Sequence, residues 1–442
     1  MHRLHHGSVS GALGLLAFAY MLTPRPAVAG RVRALAAGDG VSCTVSGDGN
    51  LRLSCWGRND HGQLGDGTTT ERVWPVVGPF LSAAVATRDQ TTCVLTLAGI
   101  YCTGANDLGQ LGDGTTVEQH TFHAIGRTSS DFPFSAGNTP CAGRNGGFGV
   151  TCWGWNQFGE VGDGTTVDRL LPADVAASLP NLVALESSGA DGHTCAINRD
   201  TAGNSQLWCW GNNDNSALGV GSSVGAYSST PVRVTAADPV AASSFGTLAV
   251  GRDVTCVIAG SGILCWGRND YGQLGDGTTT PRETPVRVPF PQGFGGRIAI
   301  SVSPTGDFAC ASGNTVLCWG RNDRGQLGDG TTIERHVPVP VAYNFVSELD
   351  EVAAGNDHTC AHQAFSIRPR DRVYCWGAND HGQLGDGTHT ERHKPWLAIP
   401  SEPPQPIPAS TPFRRIWLVV ALLLAAAVAT WARAKRESTR HA

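Results

Sequence analysis

The sequence predicts an all-β fold, a seven-bladed β-propeller, followed by a C-terminal single transmembrane helix. Three observations predict the ring. A motif of the form CWGRNDHGQLGDGT recurs seven times, beginning at Cys55, Cys102, Cys152, Cys209, Cys265, Cys318 and Cys375, with successive copies 47 to 57 residues apart. Periods of that size mark propellers and solenoids. Each copy holds its own cysteine pair, so all fourteen cysteines are accounted for. Short β-rich runs alternate with Gly, Asn and Asp turns, and no long helical period lies between the two ends of the chain.

The elements follow in chain order. Residues 1–29 carry Arg3 among histidines, an apolar stretch from Gly11 to Leu22 and Ala27-Val28-Ala29 before Gly30, which is a secretory signal with a small-residue cleavage site. An N-terminal anchor is the alternative, but the stretch is short of the ~17–25 residues that a span requires. The repeats occupy residues 30–400, and a proline-rich stalk follows over 401–413. The transmembrane helix is expected over 414–432, where the apolar run Ile416 to Ala432 has Trp417 and Trp431 at its borders and arginines on both sides. The tail 433–442, with Arg433, Lys435, Arg436 and Arg440, is expected to stay in the cytoplasm. A processed surface-sorting tail is the other reading of this end.

Within a copy the order is constant: a small-residue strand such as VAAGNDHTCAH (Val352 to His362), a turn, a strand such as RVYCWG (Arg372 to Gly377), the glycine-rich loop, and a Pro-Val segment such as Thr284 to Val288. A four-stranded blade cannot bury both faces alone, so blades stack, and seven close a ring without long exposed edges. The first copy begins at Arg31 without a preceding Pro-Val strand, whereas the last ends in one, Lys394 to Ile399. That leftover strand is expected to complete the first blade.

The cysteine pairs are Cys43 with Cys55, Cys93 with Cys102, Cys141 with Cys152, Cys195 with Cys209, Cys256 with Cys265, Cys310 with Cys318, and Cys360 with Cys375. In an exported chain they are expected to form seven disulfides, each joining adjacent strands of one hairpin. Reduced core cysteines are the alternative.

These motifs resemble the regulator of chromosome condensation repeat family, whose repeats carry a similar Trp-Gly-x-Asn-x-x-Gly-Gln-Leu-Gly core and form seven-bladed propellers. The resemblance covers Arg31 to Pro400. It departs where Thr103 replaces the tryptophan, Glu160-Val161 replaces Gln-Leu, and Ser216-Ala217 replaces Gly-Gln. It implies the fold. The family's best-known activity, guanine-nucleotide exchange, is an alternative function that the exported topology opposes, since small GTPases are cytosolic.

The motif residues have structural readings. Gly62, Gly65 and Gly67 suit tight turns, and Asn59 and Asp66 suit bonds to nearby backbone. A calcium loop lacks its Asp-x-Asp-x-Asp-Gly spacing. The tryptophans Trp56, Trp153, Trp210, Trp266, Trp319 and Trp376 are expected between blades. His193 and His358 lie in a strand, and His61 and His381 in the turn, without a metal triad; no Cys-x-x-Cys pair, nucleophile elbow or phosphate loop occurs.

A net charge of −5 without a basic cluster outside the tail excludes the footprint of a nucleic-acid binder. Lysine occurs only at 394 and 435 and no Asn-x-Ser/Thr site is present, which point to an unglycosylated bacterial protein. The expected function is a non-enzymatic, membrane-anchored extracytoplasmic binding module, monomeric and free of cofactors, with a protein or glycan partner at the cell envelope. Loops on a rigid scaffold carry recognition, and the basic loop with Arg368, Arg370 and Arg372 is the candidate ligand site, with ordinary surface charge as its plain alternative. A cell-envelope glycan hydrolase and an inhibitor of a secreted enzyme are the other functional readings.

Overall fold

The computed structural model describes residues 32–47, 51–125, 134–144, 149–189, 191–235, 245–260, 262–345, 349–363 and 372–398. The expected signal segment, stalk, membrane helix and basic tail lie outside them. Among the described residues no helix is long and apolar enough to cross a membrane.

Each motif copy becomes one antiparallel blade whose strands follow one another in sequence order. Blade 1 runs through Val32–Ala37, Val41–Ser46, Arg52–Gly57 and Arg72–Leu81, and blade 7 through Leu349–Ala354, His358–Gln363, Arg372–Gly377 and Arg392–Leu397. The leftover-strand expectation is therefore corrected. Trp396 pairs with Cys375 inside blade 7, and Val76 pairs with Cys55 inside blade 1. The physical reason is the glycine-rich loop, which turns tightly enough to return the Pro-Val strand beside the strand that precedes it. In blade 3, the strands Cys141–Gly143, Val150–Gly154 and Arg169–Asp174 form the sheet. An isolated bridge from Phe134 to Ala142 marks its innermost position.

The second and third strands of a blade are covered on both faces, which is why they read as nearly unbroken small and apolar runs. His193–Arg199 is buried through Asn198, and Gly262–Gly267 is buried throughout. Seven hydrophobic clusters result, each shared by adjacent blades. One of them closes the ring, packing Leu35, Ala37 and Trp56 of blade 1 against Val373, Leu384 and Ala398 of blade 7.

The motif tryptophans sit in these clusters and are fully buried. A buried indole N–H requires a partner, and each finds a backbone carbonyl in the loop of the preceding blade. Trp319 donates to Gln273 at 2.9 Å and Trp376 to Gln326 at 2.9 Å, while Trp56 donates across the closure to Gln383 at 2.9 Å. Gly275 shows why the loop needs glycine here: its φ is +71°, and a Cβ would stand 2.8 Å from Trp319 Nε1. In blade 2 the hydroxyl of Thr103 donates to Gly62 at 3.0 Å, and Phe122 packs against Gly65 where an indole would otherwise lie.

All seven disulfides are present, each between directly paired residues of the second and third strands with Cα atoms 4.1 Å apart. Among the described residues there is no free cysteine. Tying a hairpin limits the unfolded chain, by about 3 kcal/mol for a loop of ~15 residues in the entropic account.

Candidate functional site

Antiparallel blades give the ring two mouths. One collects the turns between first and second strands and the motif loops between third and fourth. The other collects the turns between second and third strands and the connections between blades.

The motif loop is held by its own side chains. In blade 6 the Asn322 amide donates to Thr331 O at 3.1 Å and Ile333 O at 2.9 Å, and its oxygen accepts from Leu327 N–H at 3.0 Å. Asp329 accepts from Thr331 and from Arg335, the latter at 2.7 Å. Burial raises the Asp329 carboxyl, but the Thr331 hydroxyl and Arg335 outweigh it and hold the acid below its ordinary range. Arg72, Arg169, Arg282 and Arg392 form the same ion pair with Asp66, Asp163, Asp276 and Asp386. The sequence reading found the aspartates and missed these arginines, although the spacing of six residues was available as a signal. His193 and His358 are buried tethers to the next blade, pairing with Thr255 and, at 2.9 Å, with Ser42. His61 and His381 lie in the turn and pair with Glu118 and Glu71 of the following blade. Among the described residues no group of three His, Cys, Asp or Glu is set to hold a metal ion.

Around the motif-loop mouth runs an ionic belt. Arg58 joins Asp39 and Asp60, Arg268 joins Asp270 and Asp307, and Arg321 joins Asp323, Asp307 and Asp357. The Tyr271 ring lies between Arg268 and Arg321, 5.7 and 5.9 Å from their guanidinium carbons. Blades 2, 3, 4 and 7 carry Ala105, Trp155, Asn212 and Ala378 where these arginines stand, so the belt is confined to one side. Its cations already hold two or more carboxylates each, which leaves them little capacity for a partner.

Of the predicted basic loop, Arg372 stands at the opposite mouth. Arg368 and Arg370 lie outside the described residues. Arg372 opens the third strand of blade 7, exposed, and donates to the Tyr374 hydroxyl at 3.4 Å. Tyr374 accepts from the Tyr343 hydroxyl at 3.2 Å, and Phe345 packs beside both rings at centroid distances of 4.8 and 5.5 Å. An arginine beside a half-open aromatic cluster has the composition of an interface hot spot.

Between the mouths lies the central channel, a cavity of about 400 Å³ lined by the innermost strands. Neighbouring blades converge there, and the residue paired with the first cysteine of each blade is small: Ala36, Ala86, Ala249, Ser301 and Ala353, with Ser135 beside Cys141. Blade 4 has Glu186 at that level. Two residues further toward the motif-loop mouth stand Gly38, Gly137, Ser188, Gly251, Ser303 and Gly355, but blade 2 has Arg88. Two residues the other way stand Ala34, Ala84, Ala184, Thr247 and Ala299, but blade 7 has Glu351. Arg88, Glu186 and Glu351 are the charged residues of the channel lining. Burial pushes the Glu186 carboxyl up to about 7 against the pull of Arg88. Burial likewise pushes Glu351 up to about 8, although it accepts the Leu35 backbone N–H; Asp350 adds to the rise and Arg297 opposes it. Arg88 faces Glu186 and Asp89, yet its Nη1 is buried without a hydrogen-bond partner.

The geometry defines a closed β-propeller of seven disulfide-stapled blades, a scaffold that presents two mouths and a channel. Residues 150–197, 262–311, 314–362 and 370–416 match the model of the regulator of chromosome condensation (RCC1) repeat. It is 29% identical over 230 residues to the ultraviolet-B receptor UVR8 of Arabidopsis thaliana, covering 51% of this chain and 48% of the receptor. It is 31% identical over 198 residues to the human E3 ubiquitin-protein ligase HERC2, covering 44% of this chain and 4% of the ligase. The chain thus spans about half or much less of these relatives. Among solved structures, Prp20p of Saccharomyces cerevisiae superimposes with a TM-score of 0.64 at 21% identity, covering 81% of this chain and 87% of that one. Human WBSCR16 gives 0.63 at 21% identity, covering 76% and 88%. At such identities the likeness is one of fold.

Proposed function

We propose that this chain is an exported, membrane-anchored propeller that binds a protein at the cell envelope and performs no chemistry of its own. The observation that carries the reading is the full set of seven buried disulfides, one per blade, a pattern suited to an oxidising compartment. The signal pattern at residues 1–29 and the apolar run at 416–432 supply the route and the anchor. RCC1-like propellers bind proteins: Prp20p is described with its binding to Gsp1p and histones, and yeast RCC1 (Prp20) in complex with Kap60. A protein is accordingly the favoured partner class, with an acidic glycan as the second.

The docking surface we assign is the blade 7 side of the mouth opposite the motif loops, where Arg372 adjoins Tyr343, Phe345 and Tyr374; Arg368 and Arg370 precede it in the sequence. Two experiments test the reading. Deleting residues 414–442 should move the protein from membranes to the soluble extracytoplasmic fraction. Retention in the membrane with an uncleaved N-terminal tag would overturn the topology. Partners captured by cross-linking of the full chain in its native envelope should be lost when Arg368, Arg370 and Arg372 are replaced by alanine with the disulfides intact. Unaltered capture removes this surface from the proposal.

A further inference from the structure

We infer that the central channel is a binding site for a small zwitterion with a second cationic end, the class of the basic amino acids, with Arg88 taking the carboxylate and Glu186 and Glu351 the two cations. The inference goes beyond partner docking and does not depend on it. Its ground is positional. Among the described residues the innermost strands use Ala, Gly, Ser or Thr at three successive levels along the channel, and three of the described residues break that rule, each at a different level and from a different blade. All three line one cavity.

Crowding near the axis explains why these positions are small, so a long charged side chain there is not required by the fold. None of the three turns a loop, and although Glu351 accepts the Leu35 N–H of blade 1 and the Arg88 stem lies against Gly137 of blade 3, the other blades join without a charge at these levels. Arg88 also leaves Nη1 without a hydrogen-bond partner in the wall of the channel, a costly arrangement for a guanidinium unless something occupies it.

The order along the axis is Arg88, Glu186, Glu351. Residues two apart on a strand are about 7 Å apart along it. The first interval suits the short reach from a carboxylate to an α-ammonium when both charged side chains extend into the cavity that they line. The second suits an aliphatic chain between two amines. A single anion would meet Glu186 and Asp89 beside Arg88, and a simple monoamine would leave Arg88 unanswered. The cavity of about 400 Å³ falls within the ~300–1,000 Å³ usual for small-molecule sites.

The test is calorimetric titration of the full-length chain in detergent with L-lysine, repeated with 1,5-diaminopentane and with acetate. Lysine should bind, and the diamine and acetate should each bind at least about tenfold more weakly, as expected for loss of a charge-assisted contact. Replacing each charged residue by a small one of the kind found in the other blades, Arg88→Ser, Glu186→Ala and Glu351→Ala, should leave the fold and the thiol count unchanged. Each should weaken lysine about tenfold or more, and lysine should raise the melting temperature of the unsubstituted protein but not of Glu186→Ala. No lysine binding at millimolar concentration overturns the proposal. So does binding that all three variants retain, or an equal preference for the diamine.

Discussion

Glu160 is the one carboxylic acid at a motif position that the other copies fill differently: Gln63, Gln110, Gln273, Gln326 and Gln383 occupy it in five blades. It is 1% exposed, its Oε2 accepts the Phe158 N–H at 2.9 Å, and its Oε1 is buried without a partner. Burial raises the carboxyl from its ordinary 4.5 to about 8; bonds from backbone N–H groups oppose the rise, and Asp191 and Asp168 add to it. The folded state therefore keeps a proton that the unfolded chain releases. For an acid raised in this way, the stability is fully present below pH 4.5 and is lost as pH rises toward 8. The slope is about 1.4 kcal/mol per pH unit, so by neutrality Glu160 costs on the order of 3 kcal/mol relative to an uncharged isostere. Glu160→Gln should remove that cost, since an amide oxygen accepts the same N–H, as Gln63 accepts that of His61 at 2.9 Å. Equilibrium denaturation followed by tryptophan fluorescence should then show a gain of about 3 kcal/mol at neutral pH that shrinks toward zero near pH 4.5. Other titrating groups cancel in the difference between the two proteins. A gain equal at both pH values, or a loss at pH 8, would refute the linkage.

Three further outcomes are expected. His193 and His358 are lowered by burial to about 3 and about 4, so the stability they hold is complete above 6.5 and falls as pH drops below it. Replacing His358 by Gln should flatten the acid limb of a denaturant-midpoint profile by about 1.4 kcal/mol per pH unit between pH 6.5 and 4, and an unchanged limb would count against its being buried and neutral. Trp319→Phe keeps an aromatic ring but orphans the Gln273 carbonyl, at about 1–3 kcal/mol, whereas Trp319→Ala should cost about 3–5 kcal/mol; equal, negligible losses in urea titrations would remove the indole bond from the account. Asp329→Asn should cost about 1 kcal/mol through its contact to Arg335, discounted for the solvent that reaches the guanidinium. Asp113→Asn should cost less, because Gln119 stands where the arginine would be; a melting comparison that reverses this order would show that the pair is not what holds the loop.

The blade count and the disulfide pairing could be read from the sequence because each is local, whereas Val352 to His362 reads as one strand and is two, Leu349–Ala354 and His358–Gln363, divided by a turn at Gly355-Asn356-Asp357. A hairpin puts Cys256 and Cys265 opposite each other whatever the rest of the ring does. Tryptophan at one position per copy likewise announces an interblade core. Closure could not be read in that way. It rests on contacts between residues more than 300 positions apart, such as Ser42 with His358 and Glu71 with His389. The same applies to blade 2, where Phe122 packs against Gly65 of blade 1 in the absence of the indole. Nothing adjacent in the sequence links a fourth-strand phenylalanine to the loop of the blade before it.

The channel charges were hidden for a more specific reason. Aligning the copies on the motif cysteine orders the third strand and the loop after it, but the innermost strand is reached only across a turn of variable length. From the disulfide-level residue to the first cysteine the interval is seven residues for Ala36, nine for Glu186 and six for Ser135. A column of Ala and Ser with one Glu therefore does not appear until pairing fixes the register, as it does for Glu186 with Cys195 and Ala86 with Cys93. Once fixed, the register separates two kinds of charge that look alike in the sequence. Asp66, Asp276, Asp329 and Asp386 repeat around the ring and each has an arginine six residues on. Arg88, Glu186 and Glu351 occur once each, face one cavity, and interrupt positions that the fold keeps small. Repetition marks what the ring needs in order to stand. Departure from it, at a position where a small residue would serve the fold better, marks what this chain has added.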